Sequence, residues 1–321
     1  MVRLGILGCS EIAYRRFMPA VLECDGLEVV VVGEEYAPVK LKEFCEKYSL
    51  ETTTSFDEII NRSDLDAVYI PQPPALHYKW AKKALEHGKH VFLEKPSTTG
   101  FHGSEELVCL AREKKLALHE NYMFQYHSQI SRIIEMVNAG KIGDVRLFRT
   151  DFTFPRRDNN DFRYNKNLGG GALLDAGGYT LKLATILLGE SIRLDSANLS
   201  YLSDFEVEMY GAAQLRNQDG KVCQVSFGMD NSYRCSLEVY GSRGKLITNR
   251  IFTAPPDYQP KVYIEALNGT EEILLDSDSH FRKSIDEFVN EISDESKRED
   301  MYNQIIIQAR LVEDLREKSK E

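Results

Sequence analysis

VRLGILGCSEIA, residues 2–13 of a 321-residue chain, is the stretch that decides the fold. Its first six residues are mostly apolar and predict a buried β-strand, and Gly8 supplies the tight turn that follows. Ala13 is small enough to let the next helix pack closely on that strand. A strand that enters a helix through a glycine turn is the beginning of a βαβ unit.

The βα pattern continues through the N-terminal part of the chain. An apolar stripe from Leu41 to Tyr48 predicts a helix, and Ser55-x-x-Glu58 predicts the capped start of another. Alternation of helices with nearly all-apolar strands predicts a parallel sheet covered on both faces. The further strands are expected at Leu27–Val32, Asp66–Ile70, His90–Leu93 and Ala117–Asn121.

The pattern changes in the second half of the chain. Strand-like runs joined by turn signals fill residues 193–275 and predict an antiparallel sheet. Charged helices near Phe281–Ile292 and Met301–Lys318 are expected to finish the chain. We therefore expect an α/β Rossmann domain over residues 1–122, and an α+β domain with an open, mostly antiparallel sheet over residues 123–321.

Composition restricts the classes of partner. The chain carries 40 Lys and Arg against 50 Asp and Glu, and this net charge of −10 argues against binding to nucleic acid or to an anionic membrane. No apolar run approaches the roughly 18 residues of a membrane span, and the N-terminus enters the first strand without room for a signal peptide. Six cysteines without CxxC spacing are typical of a reducing compartment. We expect a cytoplasmic protein.

The turn after the first strand has the features of a dinucleotide-binding loop. Gly8, Ser10 and Ala13 match the pattern G-x-G-x-x-G/A. Because serine replaces the glycine that lets the backbone approach the pyrophosphate, we expect a weakened loop whose hydroxyl can bond a phosphate. The predicted pyrophosphate-binding residues are Gly8, Cys9, Ser10, Glu11 and Ile12.

Glu34, directly after the second strand, is the candidate for reading the adenosine ribose. A carboxylate at this point hydrogen-bonds the ribose diol of NAD and repels the 2′-phosphate of NADP, and no arginine adjoins it. This favours NAD over NADP. Lys40 and Lys42 lie nearby in sequence and leave NADP as the alternative.

Two longer segments carry a family resemblance, namely Asp66-Ala-Val-Tyr-Ile-Pro-Gln-Pro-Pro-Ala-Leu-His77 and Ala84-Leu-Glu-His-Gly-Lys-His-Val-Phe-Leu-Glu-Lys-Pro96. With them the chain resembles the glucose–fructose oxidoreductase and inositol dehydrogenase (Gfo/Idh/MocA) family, whose hallmark is an EKP tripeptide after a strand. The likeness continues through residues 120–124 and 169–179. It implies a Rossmann domain joined to a mostly antiparallel sheet domain, with the substrate between them. It also implies cofactor contacts near the nicotinamide from Pro71, Gln72, Pro73, His77, Glu94, Lys95 and Pro96.

The resemblance implies three catalytic residues. Lys95 matches the EKP lysine, whose ammonium polarises a carbonyl or lowers the pKa of a neighbouring acid. Tyr179 stands where many members have histidine, and the tyrosine version resembles glucose–fructose oxidoreductase, the dihydrodiol dehydrogenases and the sugar-nucleotide 3-ketoreductases. A phenol, with an ordinary pKa of about 10, suits proton donation to an alkoxide. Asp175, one helical turn earlier, is expected to orient the tyrosine or the lysine, or to hold a substrate hydroxyl.

Further polar residues are expected to line the substrate cleft. Arg156, Arg157 and Arg163 form a basic stretch that suits a nucleotide diphosphate, although a solvated loop explains the same residues equally well. The histidines lack metal-ligand spacing, so no metal is expected. The predicted substrate-binding residues are Tyr122, Gln125, Arg156, Arg163 and Lys182, with Asn167 as a further candidate.

The sequence therefore predicts an NAD- or NADP-dependent oxidoreductase that moves a hydride between a nicotinamide and a sugar or keto sugar, with a nucleotide-linked sugar as one option. Two other functions stay open. One is a glycosidase-type enzyme that uses bound NAD for transient oxidation, and the other is a non-catalytic dinucleotide sensor, which would need neither Lys95 nor Tyr179. A homo-oligomer, either a dimer or a tetramer, is implied by the resemblance alone.

Overall fold

A computed structural model describes all 321 residues, which form two compact units. The first unit consists of residues 1–121 and 281–309, and the second of residues 122–280 and 310–321. The chain first passes between the units close to the expected boundary at residue 122. Residues 281–309, however, were expected in the second domain and group with the first unit.

The first unit is built on a six-stranded sheet. Its strands are β1 (Val2–Leu7), β2 (Leu27–Gly33), β3 (Glu51–Thr53), β4 (Ala67–Ile70), β5 (His90–Glu94) and β6 (Leu118–Asn121). They run parallel in the order β3-β2-β1-β4-β5-β6, which is the order of a dinucleotide-binding fold. Every residue of β4 is buried, as expected for a strand covered on both faces. The short polar β3 was not predicted because its three residues lack an apolar pattern.

Five helices of the first unit connect these strands, and their bounds are α1 (Met18–Val21), α2 (Val39–Tyr48), α3 (Phe56–Asn61), α4 (Pro74–Glu86) and α5 (Phe101–Lys114). The predicted cap of α3 is present, since the Ser55 hydroxyl accepts the Glu58 N–H at 3.3 Å. A π-helical turn, Ala13–Phe17, precedes α1. This π-helical backbone therefore begins at Ala13, directly after the dinucleotide loop.

The second unit contains an eight-stranded sheet, and α6 (Ser128–Asn138) and α7 (Gly178–Leu188) belong to the same unit. The strands are β7 (Val145–Thr153), β8 (Arg193–Tyr201), β9 (Glu208–Arg216), β10 (Val222–Gly228), β11 (Arg234–Gly241), β12 (Gly244–Asn249), β13 (Lys261–Ala266) and β14 (Gly269–Leu274). Their order is β14-β13-β12-β11-β7-β10-β9-β8, and only β7 and β10 pair in parallel. α7 packs against β7 and β10. The predicted fold class, a Rossmann domain with a second, mostly antiparallel sheet, is confirmed.

Two helices finish the chain, α8 (His280–Ser293) and α9 (Glu295–Lys318). Met301, Tyr302 and Ile305 of α9 lie in the same buried apolar cluster as the strands of the first sheet, which explains why this part of the chain belongs to the first unit. α9 begins earlier than expected because the Asp294 carboxylate accepts the Ser296 N–H at 2.9 Å as an N-cap. No helix in the protein is both long enough and apolar enough to cross a membrane.

Candidate active site

The dinucleotide loop and the loop after β4 lie at the same edge of the first sheet. β1 and β4 are neighbours at the point where the strand order reverses, and in such sheets ligands bind at the carboxyl ends of these strands. The Gln72 side-chain amide donates to the Leu7 carbonyl at the end of β1. Gly8 has φ +126°, and a Cβ there would overlap the Gln72 amide. The close approach of these two loops therefore requires glycine at position 8.

Ser10 shapes the entry to the following helix. Its hydroxyl accepts the Ala13 N–H at 3.2 Å, at the start of the π-helical turn. Glu11 is exposed and forms an ion pair with Arg15 at 2.6 Å. A glycine turn, a capping hydroxyl and a helix N-terminus make up the elements that hold a pyrophosphate. The residues at this edge thus fit a dinucleotide, although Ser10 stands where glycine is usual.

Glu34 is placed differently from the expectation. Only 6% of the residue is exposed. One carboxylate oxygen accepts the Cys9 N–H at 2.8 Å, and the other accepts the N–H groups of Tyr36 and Ala37 at 2.9 and 3.2 Å. A carboxylate that already holds three backbone donors has little capacity left for a ribose diol. The reason given for preferring NAD is therefore not supported, and Glu34 acts as a brace for the dinucleotide loop.

The charges around this loop are mixed. Burial, followed by the negative charge of Glu34, raises the pKa of the Cys9 thiol to about 12, and the Lys40 ammonium opposes this rise. The thiol is therefore protonated and unreactive at neutral pH. Lys40 lies in the first turn of α2, the helix that follows β2 and Glu34.

The EKP segment follows β5 and is held by buried neighbours. Glu94 Oε1 accepts the Tyr69 hydroxyl and the Asn121 side-chain amide, both at 2.8 Å. Burial raises the pKa of Glu94, and the hydrogen bonds from Asn121 and Tyr69, with the neighbouring Lys95, limit that rise. The residue directly before Lys95 is thus held by side chains of β4 and β6.

Two more side chains hold the backbone after Lys95. The His77 ring nitrogens lie 2.7 Å from the Pro96 carbonyl and 2.7 Å from the Gln72 carbonyl. Burial lowers the pKa of His77 to about 4, so the neutral ring carries one N–H and donates to only one carbonyl at a time. The Glu120 carboxylate accepts the Ser97 N–H at 2.7 Å. His77 therefore joins the loop after β4 to the loop that carries Lys95.

A glycine turn in the second unit leads to the predicted tyrosine. The Gly171 N–H donates to the Arg163 carbonyl at 2.9 Å. Gly171 has φ +121°, and a Cβ there would overlap the Glu208 carboxylate. Glu208 accepts the Leu173 N–H at 3.1 Å, and burial raises the pKa of Glu208. The turn continues as a π-helical segment, Leu173–Gly177, that runs directly into α7.

Asp175 and Arg163 are brought together. Arg163 Nε lies 2.6 Å from an Asp175 carboxylate oxygen, and its Nη1 lies 3.1 Å from Asp161. Burial by itself would lower the pKa of Arg163, but Asp175 and Asp161 outweigh this effect and raise it. Two carboxylates thus compensate the positive charge of the Arg163 guanidinium, which was expected to bind a diphosphate. Asp175 reaches Arg163 within its own unit.

Tyr179 lies in the first turn of α7 and is 7% exposed. Its ring packs edge-on against Tyr122 at 5.4 Å and against Phe152 at 5.1 Å, with Phe124 and Phe252 completing an aromatic cage. The hydroxyl lies 3.8 Å from the Met123 sulfur, which is a weak acceptor. The cage holds the ring of Tyr179 in place.

The other predicted substrate residues differ in their surroundings. Arg156 pairs with Asp230 through two contacts of 2.8 and 3.0 Å and stacks over Phe205. Lys182, three residues after Tyr179, is 2% exposed. Gln125 has a buried side-chain nitrogen with no hydrogen-bond partner in the protein, as expected for a group that meets a ligand. Asn167 lies in a 3₁₀ turn whose preceding Asn165 accepts its N–H at 2.9 Å.

Sequence reasoning missed the residues that support these sites. Tyr69, Asn121 and Glu120 hold the EKP segment, whereas Asp161 and Glu208 hold the glycine turn and its arginine. Asn121 and Glu120 lie inside a segment that carried the family resemblance, so their strand-end position was an available signal. Glu208 had no such signal, because its partner Leu173 is distant in sequence, whereas Asp161 lies two residues before Arg163 and its spacing was a further available signal.

Comparison with known proteins gives two family matches that together cover most of the chain. Residues 2–122 match the oxidoreductase family with an NAD-binding Rossmann fold, and residues 130–247 match the GFO/IDH/MocA C-terminal domain. Two curated relatives are dTDP-3,4-didehydro-2,6-dideoxy-alpha-D-glucose 3-reductases. The one from Actinomadura kijaniata is 39% identical over 93% of this chain and 90% of its own length, and the one from Saccharopolyspora spinosa is 35% identical over 97% and 96%.

Solved structures give the same picture. The 3-ketoreductase KijD10 from Actinomadura kijaniata, in complex with NADP and TDP-benzene, has a TM-score of 0.94 and 37% identity, covering 99% of this chain and 97% of its own. Variants of that enzyme with a tyrosine or a lysine replaced have also been solved with the same two ligands. An aldose–aldose oxidoreductase from Caulobacter crescentus has a TM-score of 0.84 and 25% identity, covering 98% of each chain.

Proposed function

The chain belongs to the GFO/IDH/MocA family of NAD-binding oxidoreductases, and from this we propose that it is an NADP-dependent 3-ketoreductase acting on a dTDP-linked keto sugar. The observation that carries the proposal is the similarity, over nearly the whole chain, to a 3-ketoreductase that binds NADP and TDP-benzene. Two features of the chain itself support it, namely a lysine held by the EKP segment and a tyrosine held in an aromatic cage.

NADP is favoured over NAD for a physical reason in addition to the relatives. Glu34, which would repel a 2′-phosphate if it faced the ribose, is braced by three backbone N–H groups instead. Lys40 is exposed and close enough to the loop for its charge to act on Cys9. We infer that Lys40 attracts the 2′-phosphate. The residues that would hold the rest of the cofactor are Gly8, Cys9, Ser10, Glu11, Ile12, Pro71, Gln72, Pro73, His77, Glu94 and Pro96.

The proposed roles follow from what each side chain can donate. When bound, the reduced nicotinamide supplies the hydride for the keto carbon. Tyr179 gives its phenol proton to the oxygen of the reduced carbonyl, a transfer for which a phenol held in a fixed orientation by its aromatic cage is suited. Lys95 carries the positive charge that stabilises the oxygen as it becomes an alkoxide. Asp175, paired with Arg163, is proposed to position the helix turn before Tyr179.

Substrate binding is assigned to the polar groups of the second unit. The unpartnered amide nitrogen of Gln125 donates to a sugar or base oxygen in this proposal. Tyr122 and Lys182 are further proposed substrate-binding residues of this unit. Arg156 and Arg163 are held by carboxylates, so their binding to a diphosphate requires exchange of these partners.

The test is NADPH oxidation by the purified protein with a dTDP-linked 3-keto sugar, followed by absorbance. Tyr179→Phe and Lys95→Met are each expected to reduce kcat/KM by about 100-fold or more, as for loss of a general acid or of transition-state charge stabilisation. Tyr164→Phe is the matched control. The Tyr164 hydroxyl accepts the Arg157 N–H, in a loop that does not carry Tyr179. Net loss of NADPH separates reduction from glycosidic cleavage, in which the cofactor is regenerated. Full turnover by both Tyr179→Phe and Lys95→Met would contradict the proposal.

A further inference from the structure

A chain of buried polar groups connects α8 with the EKP segment, entirely inside the first unit. Glu291 on α8 lies 2.9 Å from His119 Nδ1, and His119 Nε2 lies 2.9 Å from the Ser284 hydroxyl. Ser284 in turn bonds the Asn121 side-chain carbonyl at 2.8 Å, and the Asn121 amide bonds Glu94 Oε1 at 2.8 Å. Each of the first four groups in this chain is at most 1% exposed.

The hydrogen bonds between His119 and Glu94 have a defined direction. Asn121 presents its NH₂ group to Glu94 and its oxygen to the Ser284 hydroxyl. The single Ser284 proton is then given to Asn121, and the Ser284 oxygen must accept from His119 Nε2–H. The arrangement resembles a Ser–His–Glu triad, but the serine proton points away from the histidine and no solvent reaches Ser284. A nucleophilic role is therefore excluded.

One proton remains between His119 Nδ1 and Glu291. Whichever of the two groups holds it, the pair has no net charge, which is what a site without solvent favours. His119 also stacks on Phe92 of β5 at 4.7 Å, so its ring is held from the side as well as at both nitrogens. The donor direction is therefore fixed from His119 to Glu94, the residue directly before Lys95.

We propose that Glu291, His119 and Ser284 are positioning residues for Lys95, acting through Asn121 and Glu94. This inference rests on the proposed reductase function, because it assigns the buried chain to the lysine of that reaction. Polar groups buried at such a density stabilise little compared with apolar packing, yet the three consecutive hydrogen bonds from His119 to Glu94 fix the orientation of the side chains between them. Supporting groups of this kind commonly change activity by about 10- to 100-fold when they are removed.

Four variants separate positioning from plain stability. Ser284→Ala removes the link between His119 and Asn121, and Glu291→Leu removes the partner of His119. Glu291→Gln keeps the direction of donation, since its NH₂ group can donate to Nδ1 while Nε2 stays protonated. Ile285→Val trims a fully buried neighbour on α8 that is outside the polar chain, and serves as the control for lost packing.

With the dTDP-linked keto sugar, Ser284→Ala and Glu291→Leu are expected to lower kcat by about 10-fold with KM changed less than about twofold, because Lys95 is misplaced rather than the substrate site. Glu291→Gln should stay within about threefold of the unchanged protein, and Ile285→Val should keep its kcat. If Ser284→Ala and Glu291→Leu retain the kcat of Ile285→Val, the positioning role is wrong.

A second readout needs no substrate. The rate at which Lys95 is acetylated by acetic anhydride, relative to the exposed Lys42, is measured by peptide mapping in the mass spectrometer. Ser284→Ala and Glu291→Leu should change this ratio by about threefold or more, and Ile285→Val should not. Should the unchanged protein fail to reduce the keto sugar, the proposed function falls, and the acetylation ratio still decides whether the buried chain positions Lys95. An unchanged ratio in both variants would overturn the inference.

Discussion

Glu34 and Arg163 are charged residues whose hydrogen-bond and ion-pair partners lie within their own unit. Glu34 was expected to face a ribose and Arg163 a diphosphate, since both positions suit those ligands. In the structure Glu34 accepts three backbone N–H groups, and Arg163 lies between two carboxylates. Motif position therefore identified important residues, while their hydrogen-bond partners determine what each residue does.

Replacement of Glu34 by alanine distinguishes the two roles. A brace that shapes the loop predicts that Glu34→Ala weakens NADPH and NADH binding by similar factors, about 10-fold, because three backbone donors lose their acceptor. If Glu34 instead binds the ribose diol, the variant should show the opposite pattern, with NADH binding weakened and NADPH binding unchanged or improved. Fluorescence titration of the variant with each reduced cofactor provides both affinities, and Glu135→Ala, which removes only an exposed ion pair with Arg132, is the control.

At the scale of elements, both predicted sites lie where a loop enters a helix through a π-helical turn. Ala13–Phe17 follows the dinucleotide loop, and Leu173–Gly177 follows the glycine turn before Tyr179. Such turns are frequent at functional sites because they re-aim the side chains that follow. In each case a glycine with positive φ lies next to a side chain that leaves no room for a Cβ.

The glycine turn offers a direct test of this packing. Gly171→Ala is expected to destabilise the protein by about 3 kcal/mol, since it combines a left-handed backbone with overlap on the Glu208 carboxylate. Gly269→Ala has a similar φ of +126° and no atom within 4 Å, so it should destabilise by only about 1 kcal/mol. Urea unfolding measures both values. Equal effects would mean that the contact with Glu208 contributes nothing.

At the scale of the whole molecule, buried histidines link folding to pH. Burial lowers the pKa of His90 to about 4, and its Nδ1 accepts the Ala117 N–H at 2.8 Å. The unfolded chain binds a proton at this residue near pH 6.5, whereas the folded chain does not until about pH 4. The stability that His90 contributes is therefore present above pH 6.5 and is lost as the pH falls from 6.5 towards 4. His77 acts in the same direction.

His90→Asn isolates this contribution. The asparagine oxygen can accept the Ala117 N–H without titrating, so between pH 7 and pH 5 the variant should lose about 1–2 kcal/mol less unfolding free energy than the unchanged protein. His102→Asn is the matched control, because it makes the same substitution at an exposed histidine. Urea unfolding at the two pH values measures the difference. Identical slopes for both variants would contradict the neutral, buried state of His90.

The homo-oligomer implied by the family resemblance is a proposal at this same scale. We propose a dimer or tetramer in solution that pairs through the face of the second sheet around Ala212, Gln214 and Gln224, which includes exposed residues. Size-exclusion chromatography with light scattering should give a multiple of the 36.7 kDa chain mass. Ala212→Arg, at the centre of that face, should shift the protein to monomer. A monomeric unchanged protein would refute the proposal.

Local patterns in the sequence were sufficient for the fold class, the family and the position of the dinucleotide loop. Apolar periodicity, the Gly8 turn and the EKP segment all act over a few residues, so they can be read directly along the chain. Only the tertiary structure decided which donors occupy Glu34, that Arg163 holds Asp175, and that residues 281–309 join the first unit. The link from Ser284 to Asn121 spans 163 positions. Such partners meet only after the chain has folded, since a hydrogen bond between distant residues leaves no local pattern in the sequence.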